Sequence, residues 1–233
     1  MNKKILAIVP AYNEENSIAG VVDDIKSHLP EADIVVINDA STDGTVNIVR
    51  SKNGVRLIDL PINLGIGGAV QTGFRYALNG SYDIAVQIDG DGQHMASEVK
   101  KVLMPVIDDV ADMSIGSRYL EKKGFLSSPM RRLGNFIFKV VNSTLIQQRI
   151  TDNTSGFRAY SREAIKFLTR YYPSDYPEPE SVVLLAKNGF RIKEVPVIMK
   201  ERTAGESSIT PIRTVYYMLK VMLAIFARFS RPS

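Results

Sequence analysis

Two aspartates that stand one residue apart are the strongest candidates for chemistry in this chain. Asp89 and Asp91 follow an apolar, β-branched run, Ile84–Ile88, which predicts a buried strand ending in a glycine-containing turn. At the carboxyl end of a parallel strand, two such carboxylates can bind a hard divalent cation, and Gln93 could add a third oxygen. The alternative is a polar β-turn, because Asp and Gly are common turn residues. This segment alone leaves both interpretations open.

Polar residues also follow the first two predicted strands. The first strand, Lys4–Val9, is followed by the loop Pro10–Glu14, and the second strand, Asp33–Ile37, leads to Asp39. A carboxylate in this position can accept a hydrogen bond from the N–H of a pyrimidine ring, as a site specific for a base requires. For the first loop, a plain strand-to-helix turn is the alternative.

A glycine-rich segment, Asn63–Ala69, follows the third predicted strand, Val55–Leu60, and precedes a helix that extends to about Leu78. Glycines at a helix start allow a phosphate or a sugar to approach the backbone N–H groups and the positive end of the helix dipole. The spacing matches neither the Rossmann fingerprint nor the Walker loop. Close packing of helix on sheet is the alternative explanation.

The elements that position these residues alternate between strand and helix as far as Arg118. A helix over Ser97–Asp109 follows the aspartate turn and leads to a fifth strand, Asp112–Gly116. This rhythm predicts an α/β domain with a mostly parallel central sheet flanked by helices. Beyond it we expect a helix from Met130 to about Gln148 and a polar turn at Asp152–Arg158 that is followed by a short strand. The last elements of this domain are a helix over Arg162–Tyr171, a helix over Val182–Asn188 and an edge strand over Arg191–Ile198.

Composition excludes some kinds of site and favours an anionic neighbour. The chain has 233 residues and no cysteine, so neither disulfides nor thiolate metal ligands are available. Its start, Met1–Lys4, precedes only a short apolar run, which predicts a first strand rather than a secretory signal. The formal net charge is +4, and the segment from Lys200 onward carries six basic residues against Glu201 and Glu206, which accounts for the whole surplus. This asymmetry indicates a polyanion or an anionic membrane surface as neighbour, or else a solvated basic helix.

The polar segments lie in order along about residues 4 to 210. They are Pro10–Glu14, Asn38–Thr45, Asn63–Gly65, Asp89–Gln93, Gly116–Arg118 and Asp152–Arg158. Together they resemble glycosyltransferase family 2, and within it the dolichol-phosphate mannosyltransferases and the bacterial polyprenyl-phosphate sugar transferases. The resemblance implies a GT-A type catalytic domain over residues 1–210 that binds a nucleotide-diphospho-sugar, preferably a UDP-sugar. It also implies transfer of the sugar to polyprenyl phosphate with inversion, for cell-surface glycan synthesis.

The resemblance implies roles for individual residues. The nucleotide-binding residues would be Pro10, Tyr12, Glu14, Asp39, Asn63, Gly65 and Asp89, with Asp39 on the uracil or thymine ring. Mg²⁺ or Mn²⁺ on the diphosphate would be bound by Asp89, Asp91 and Gln93. The catalytic residues would be Asp91, Arg118, Arg132 and Arg202. The acceptor-binding residues would be Arg118, Arg131, Arg132, Asn135 and Glu180. Asn38 stands where many relatives have Asp, which removes one charge but leaves Asp39.

Transfer to a lipid phosphate needs cations more than it needs a base. A phosphate monoester has its second pKa at about 6 and is mostly ionised near neutral pH, whereas a sugar hydroxyl needs a general base. Arg118, Arg131 and Arg132 would supply positive charge to the acceptor, and Arg202 with the divalent ion would neutralise the leaving diphosphate. For Arg131 and Arg132 the alternative is a solvated helix start.

Two other functions stay open at this point. One is transfer to a sugar hydroxyl of a lipid-linked glycan, with Glu180 as the base. The other is a nucleotide-sugar-binding subunit of a membrane complex that does not catalyse transfer. We expect His94 to support the aspartate turn rather than to bind metal or act as a base, and we expect no nucleic acid partner.

An amphipathic helix is predicted over residues 211–233. Val215, Leu219 and Phe226 fall on one apolar stripe, and Lys220 interrupts the run well short of the roughly 20 apolar residues that span a membrane. The pattern favours a helix lying in the membrane surface, with packing on the catalytic domain, on a membrane-protein partner or on a second copy of the chain as the alternative. We therefore expect a cytoplasmic protein, peripheral on the inner face of the cell membrane.

Overall fold

Strands and helices alternate along the computed structural model, which describes residues 3–121, 136, 139–140, 142–174 and 177–201. The strands are β1 (Ile5–Ala11), β2 (Asp33–Asn38), β3 (Val55–Asp59), β4 (Ile84–Gln87), β5 (Met113–Ser117), β6 (Arg158–Ser161) and β7 (Ile192–Pro196). The helices are α1 (Ile18–His28), α2 (Thr45–Arg50), α3 (Gly65–Asn79), α4 (Val99–Ile107), α5 (Arg162–Tyr171) and α6 (Pro177–Lys187). Up to β5, this is the order that the sequence predicts.

The described strands form one sheet in the order β3-β2-β1-β4-β6-β5-β7. Pairing is parallel between β1 and β2, β1 and β4, β2 and β3, and β5 and β7. β6 is antiparallel to both of its neighbours, β4 and β5. The predicted α/β domain with a mostly parallel sheet is confirmed, and β7 is an edge strand as expected. The sequence does not reveal the reversed direction of β6, because the strand–helix rhythm ends before it.

β1 extends through Pro10 to Ala11, beyond the end that the sequence predicts. Pro10 pairs with Ile37 of β2, and its carbonyl accepts a hydrogen bond from the Gly90 N–H at 3.1 Å, so it faces β4. β4 ends at Gln87, which pairs with Ile8, so the paired part of β4 has no carbonyl that would need the N–H of residue 10 as a donor. The missing N–H of proline therefore costs no ladder hydrogen bond here.

Apolar side chains cover both faces of the sheet, which explains why its central strands β1, β2 and β4 are mostly continuous apolar runs. Ala7 and Val9 of β1 pack with side chains from α1 and α4 on one face. Leu6 and Ile8 pack with side chains from α3, α5 and α6 on the other face. Because β1 is buried on both sides, the loop that follows it emerges at a fixed place on the carboxyl edge of the sheet.

α6 begins at Pro177, earlier than the predicted start at Val182. Pro177 and Pro179 lie in its first turn, where backbone N–H groups have no acceptor within the helix, so proline costs no hydrogen bond. The earlier start places Glu178 and Glu180 in this first turn, near the positive end of the helix dipole.

Within the part of the chain that the structure describes, no helix is both long enough and apolar enough to cross a bilayer. The predicted amphipathic helix over residues 211–233 lies outside the described residues, as does the end of the predicted catalytic domain.

Candidate active site

A cleft of about 410 Å³ opens at the carboxyl edge of the sheet. Its lining comes from the loops after β1, β2 and β4 and from the start of α3. It contains all seven predicted nucleotide-binding residues together with Asp91: Pro10, Tyr12, Glu14, Asp39, Asn63, Gly65 and Asp89. Residues that are up to about eighty positions apart in the chain therefore meet in one place, because parallel strands end at a common edge.

Asp39 is held in the cleft wall by the backbone around it. Its N–H donates to the Ala11 carbonyl at 2.9 Å, and its Oδ1 accepts from the Leu64 N–H at 2.7 Å. The residue is 3% exposed. Its Oδ2 has no hydrogen-bond donor among the residues that the structure describes. One oxygen is thus fixed by the protein, and the other can accept a hydrogen bond from a ligand such as a pyrimidine N–H.

The loop after β1 is tied to the loop after β2 by side-chain hydrogen bonds. Asn13 has a left-handed backbone conformation with a φ of 55°. Its N–H donates to Ser41 Oγ at 2.9 Å, and its Oδ1 accepts from the Thr42 N–H at 2.8 Å. Next to it, Tyr12 is 49% exposed at the cleft, where its ring is available to stack on a planar base.

Asn38, at the end of β2, donates from Nδ2 to Oδ1 of Asp59 at 2.7 Å. The two residues are paired neighbours on β2 and β3, and Asn38 is buried. An aspartate at position 38 would bring two carboxylates face to face. Asparagine here is therefore explained by its partner on β3.

Exchanging this pair tests the explanation. Asn38→Asp should lower the free energy of unfolding by about 1–3 kcal/mol, because a buried donor is lost and like charges face each other. Adding Asp59→Asn restores a donor and an acceptor, so the double variant should recover most of the loss. Urea unfolding followed by circular dichroism measures both. A double variant as unstable as Asn38→Asp would contradict the explanation.

The turn after β4 is fixed against the end of β1. Gly90 donates to the Pro10 carbonyl at 3.1 Å, and a Cβ added at Gly90 would lie 3.0 Å from that oxygen. Gly92 has a φ of 77°, which favours glycine. Asp91 Oδ1 accepts from the Gln93 N–H at 3.0 Å. The segment is thus a polar turn, and this turn brings both carboxylates to the cleft.

Asp89 is supported by two buried side chains behind it. Gln87 Nε2 donates to Asp89 Oδ1 at 3.0 Å, and the Asp89 N–H donates to His94 Nδ1 at 3.0 Å. The His94 ring stacks on Phe157 with the ring centroids 4.9 Å apart. His94 does not line the cleft, in agreement with the expected supporting role.

Gly156, in the turn before β6, lies against the same carboxylate. A Cβ at this position would lie 2.8 Å from Asp89 Oδ2 and 2.9 Å from Gln87 Nε2. The family resemblance implies that UDP binds here with Mn²⁺, and we expect Gly156→Ala to displace Asp89 and to weaken that binding by about tenfold, as measured by calorimetry. The matched control is Gly20→Ala in α1, where an added Cβ meets nothing within 4 Å and binding should not change. Unchanged binding in Gly156→Ala would show that Asp89 is not held in this way.

The oxygen donors of this turn fit a hard divalent cation that arrives with a diphosphate. Asp89 and Asp91 bring two carboxylates to the cleft, whereas Gln93 is not among the residues that line it. No group of three or more His, Cys, Asp or Glu residues that could hold a metal is found within the described ranges. One or two protein carboxylates, completed by substrate phosphates and water, are the usual ligand set of Mg²⁺ at nucleotide sites.

Arg118, just after β5, forms a bidentate ion pair with Asp152. Its Nε and Nη2 donate to the two Asp152 oxygens at 2.7 and 2.8 Å, and Nη2 also donates to Thr154 Oγ1 at 3.1 Å. Burial opposes the charge of Arg118, but Asp152, with a smaller contribution from Asp89, outweighs it and raises the pKa. Arg118 is therefore a fixed cation within electrostatic reach of Asp89.

Glu194 of β7 holds the segment that carries Asp152. Its Oε2 accepts from the Thr151 N–H and its Oε1 from the Asp152 N–H, both at 2.8 Å. Burial raises the pKa of Glu194, and the hydrogen bonds from these two N–H groups oppose that effect. The orientation of Arg118 thus depends on a chain of contacts that reaches the edge strand.

The two glutamates of the first turn of α6 differ in their surroundings. Glu180 is 4% exposed, whereas Glu178 is partly exposed. Burial raises the pKa of Glu178, attraction to Arg158 opposes this, and repulsion from Asp89 adds to it. The role of Glu180 in acceptor binding stays a prediction. The other predicted residues of the acceptor and diphosphate sites lie outside the described residues: Arg131, Arg132, Asn135 and Arg202.

Sequence reasoning missed the side chains that support the site from behind. The Asp152–Arg158 segment does carry a signal, because it is one of the six matching segments, but the sequence assigns no role to its members. Glu194 lies in an alternating edge strand and gives no signal of its support for Asp152. Gln87 precedes the turn inside an apolar strand and is equally inconspicuous. The remaining lining residues lie within the predicted segments but have no individual role assigned from the sequence: Ala11, Ile66, Ala69 and Gly90.

Comparison with known proteins agrees with this geometry. Residues 6–169 match the model of glycosyl transferase family 2. The chain is 33% identical over 215 residues to the UDP-N-acetylglucosamine–dolichyl-phosphate N-acetylglucosaminyltransferase of Methanococcus voltae, covering 84% of this chain and 85% of that protein. It is 30% identical over 215 residues to the undecaprenyl-phosphate mannosyltransferase of Micrococcus luteus, covering 89% of this chain and 88% of that protein.

Solved structures confirm the predicted GT-A fold. Glucosyl-3-phosphoglycerate synthase from Mycobacterium tuberculosis, in complex with Mn²⁺, uridine diphosphate and phosphoglyceric acid, matches with a TM-score of 0.76 at 20% identity. The match covers 100% of this chain and 80% of that one, and at this identity it is evidence for the fold alone. The family model covers more than half of the sequence, and the relatives match over most of their own length. The chain therefore belongs to glycosyl transferase family 2.

Proposed function

We propose that the protein is a metal-dependent, inverting glycosyltransferase that transfers a sugar from a UDP-sugar to undecaprenyl or a related polyprenyl phosphate, for cell-surface glycan synthesis. The observation that carries the proposal is the single cleft that collects Asp39 with Asp89 and Asp91. One carboxylate suits the N–H of a base, and the other two suit a cation on a diphosphate. Binding of a nucleotide-diphospho-sugar needs both a contact to the base and a cation on the diphosphate.

The donor would lie along the carboxyl edge of the sheet. Its base would stack on Tyr12 and donate to Asp39 Oδ2, because Oδ1 is engaged by the Leu64 N–H. The glycine at the start of α3, Gly65, has a positive φ of 74° and leaves room for the ribose or the phosphates. The diphosphate would then reach Asp91 at the far side of the cleft.

Asp89, Asp91 and Gln93 would hold the divalent ion. When bound, Mg²⁺ or Mn²⁺ stabilises the negative charge that develops on the diphosphate as its bond to the sugar breaks. The glucosyl-3-phosphoglycerate synthase that shares this fold was crystallised with Mn²⁺ and uridine diphosphate. Arg202 would add a second cation to the same leaving group.

The acceptor phosphate would bind beside Asp89, at Arg118. Within the described ranges, Nη1 of Arg118 forms no hydrogen bond, so two N–H donors remain for a phosphate oxygen. An ionised phosphate oxygen attacks the anomeric carbon while the bond to the diphosphate breaks, and no proton has to be removed. Arg131, Arg132 and Asn135 would complete the phosphate site. The relatives from Methanococcus voltae and Micrococcus luteus are transferases to dolichyl phosphate and undecaprenyl phosphate, which supports this acceptor.

The proposed substrate and the basic tail support a location at a membrane. A polyprenyl phosphate is embedded in lipid, and the excess positive charge beyond Lys200 would attract an anionic surface. We therefore infer a peripheral location on the inner face of the cell membrane. The segment 211–233 would lie in the membrane surface or bind a membrane protein or a second copy of the chain.

The test is transfer by the purified chain. We expect incubation with radiolabelled UDP-N-acetylglucosamine, UDP-glucose or GDP-mannose, undecaprenyl phosphate and Mn²⁺ to yield an acid-labile lipid-linked monosaccharide from one donor. A product formed only with a lipid-linked glycan as acceptor would indicate the hydroxyl-directed transferase instead. Tight UDP binding without any product would indicate the non-catalytic subunit.

A further inference from the structure

The chain that follows β7, residues 197–200, lies between two strand ends of the sheet. At its start, the Val197 N–H donates to the Ser117 carbonyl at the end of β5, at 3.1 Å. At its end, the Lys200 N–H donates to the Gln93 carbonyl in the turn after β4, at 3.0 Å. These residues therefore connect the end of β5 with the turn that brings the two aspartates to the cleft.

The segment contacts the aspartate turn through paired backbone. Met199 and His94 form an antiparallel β-bridge, and they are 4% and 7% exposed. On the side of the turn, His94 Nδ1 accepts from the Asp89 N–H at 3.0 Å, and the Gln93 N–H donates to Asp91 Oδ1 at 3.0 Å. The segment thus fixes the two residues that are hydrogen-bonded to Asp89 and Asp91.

Glu98 holds the middle of this segment in place. It lies just before α4, is 9% exposed, and accepts at Oε2 from the Ile198 N–H at 3.1 Å and from Lys101 Nζ at 2.7 Å. A hydrogen bond to a carboxylate is stronger than one between neutral groups. Glu98 therefore ties residues 197–200 to the start of α4, next to the aspartate turn.

We propose that Glu98 is a positioning residue for the divalent cation: it fixes residues 197–200 so that their backbone holds Gln93 and, through Gln93, keeps Asp91 in the orientation that binds the ion. The inference rests on the proposed function only in taking UDP with a divalent cation as the ligand. Groups that orient metal ligands typically change metal affinity by about 10- to 100-fold when they are removed. Glu98 does not line the cleft, so its loss should act on the cation rather than on the nucleotide.

The experiment measures the dissociation constant of UDP by calorimetry over a series of Mn²⁺ concentrations and in EDTA. For Glu98→Ala we expect the Mn²⁺ concentration that gives half of the gain in UDP affinity to rise by about tenfold, with the affinity in EDTA changed less than about twofold. Glu98→Gln should behave nearly as the wild type, because its amide oxygen can still accept from the Ile198 N–H. A loss in Glu98→Gln as large as in Glu98→Ala would overturn the proposal.

A second variant removes the other end of the same support. Lys200→Pro lacks the N–H that donates to Gln93 and should raise the required Mn²⁺ concentration as Glu98→Ala does. It also tests the proposal if Glu98→Ala does not fold. The double variant should need no more Mn²⁺ than the more affected single variant, because both substitutions remove one support.

Asp112→Ala is the matched control at the other end of β7. Asp112 accepts from the Arg191 N–H at 2.8 Å and also pairs with the Arg191 side chain, as Glu98 accepts from a backbone N–H and pairs with a lysine. Its loss should leave the Mn²⁺ dependence unchanged. Amide hydrogen exchange without metal gives a second readout: the peptide that contains Lys200 should exchange faster in Glu98→Ala and at the wild-type rate in Asp112→Ala.

Multiplicative effects in the double variant, equal losses of UDP affinity in Mn²⁺ and in EDTA, or unchanged constants in Glu98→Ala would each overturn the proposal. A wild type that binds UDP equally well in Mn²⁺ and in EDTA would overturn it together with the metal-dependent function. The same preparations are assayed for transfer to undecaprenyl phosphate. A selective rise in the required Mn²⁺ concentration, in a protein that transfers nothing, would support the role of Glu98 and refute the proposed function alone.

Discussion

Asp91→Asn should reduce the rate of sugar transfer by about 10³-fold while the protein stays folded. Asp91 lines the cleft from a turn whose backbone is fixed by the Pro10 carbonyl, so the substitution removes charge without removing the turn. The loss is large because an amide binds a divalent cation weakly, and the leaving diphosphate then keeps its negative charge. Transfer of radiolabelled sugar to undecaprenyl phosphate under saturating Mn²⁺ measures the effect.

Asp83→Asn is the matched control for this prediction. Asp83 precedes the same strand, β4, at the opposite edge of the sheet, where its Oδ2 accepts from the Lys4 N–H at 2.8 Å. Its loss should leave the transfer rate unchanged. A rate for Asp91→Asn within a few-fold of the wild type would remove Asp91 from the catalytic residues.

Arg118→Lys should lower kcat/KM for the lipid phosphate by about 100-fold, with little change in UDP affinity. The guanidinium is held by both oxygens of Asp152, which leaves Nη1 to face a ligand. A lysine ammonium can keep one hydrogen bond to Asp152. It cannot make both hydrogen bonds to Asp152 and also direct a donor toward the lipid phosphate. Initial rates over a series of undecaprenyl phosphate concentrations, with UDP binding by calorimetry, separate the two effects.

Arg191→Lys provides the comparison for Arg118. Arg191 makes the same kind of paired contact with Asp112, at 3.0 and 3.1 Å, on the exposed amino side of β7. Its replacement should not alter transfer. Equal losses in both variants would mean that Arg118 matters only for the fold.

The donor half of the site could be predicted because it depends on strand ends. Asp39 and Asp89 follow apolar runs that are visible in the sequence, and parallel strands bring their carboxyl ends to one edge. The family resemblance then adds residues such as Asn63, whose side chain holds the Asp39 carbonyl at 3.2 Å. Local patterns and one topological rule were sufficient for this part.

The support of the aspartate turn from behind depends on contacts that no local pattern shows. β6 enters the sheet antiparallel between β4 and β5, and this places Gly156 and Arg158 behind the aspartate turn. α6 starts at Pro177 because the first turn of a helix tolerates proline, whereas the sequence predicts a helix only from Val182. Such arrangements arise from tertiary packing and long-range hydrogen bonds, which override the local preferences of the chain.

The metal dependence of UDP binding tests most directly whether the aspartate turn binds the cation. Calorimetric titration of UDP into the wild type should give an affinity at least about tenfold higher with Mn²⁺ than with EDTA, and this difference should vanish in Asp91→Asn. Equal UDP affinity in Mn²⁺ and in EDTA, or a metal effect that survives in Asp91→Asn, would contradict the assignment of the cation to the turn after β4.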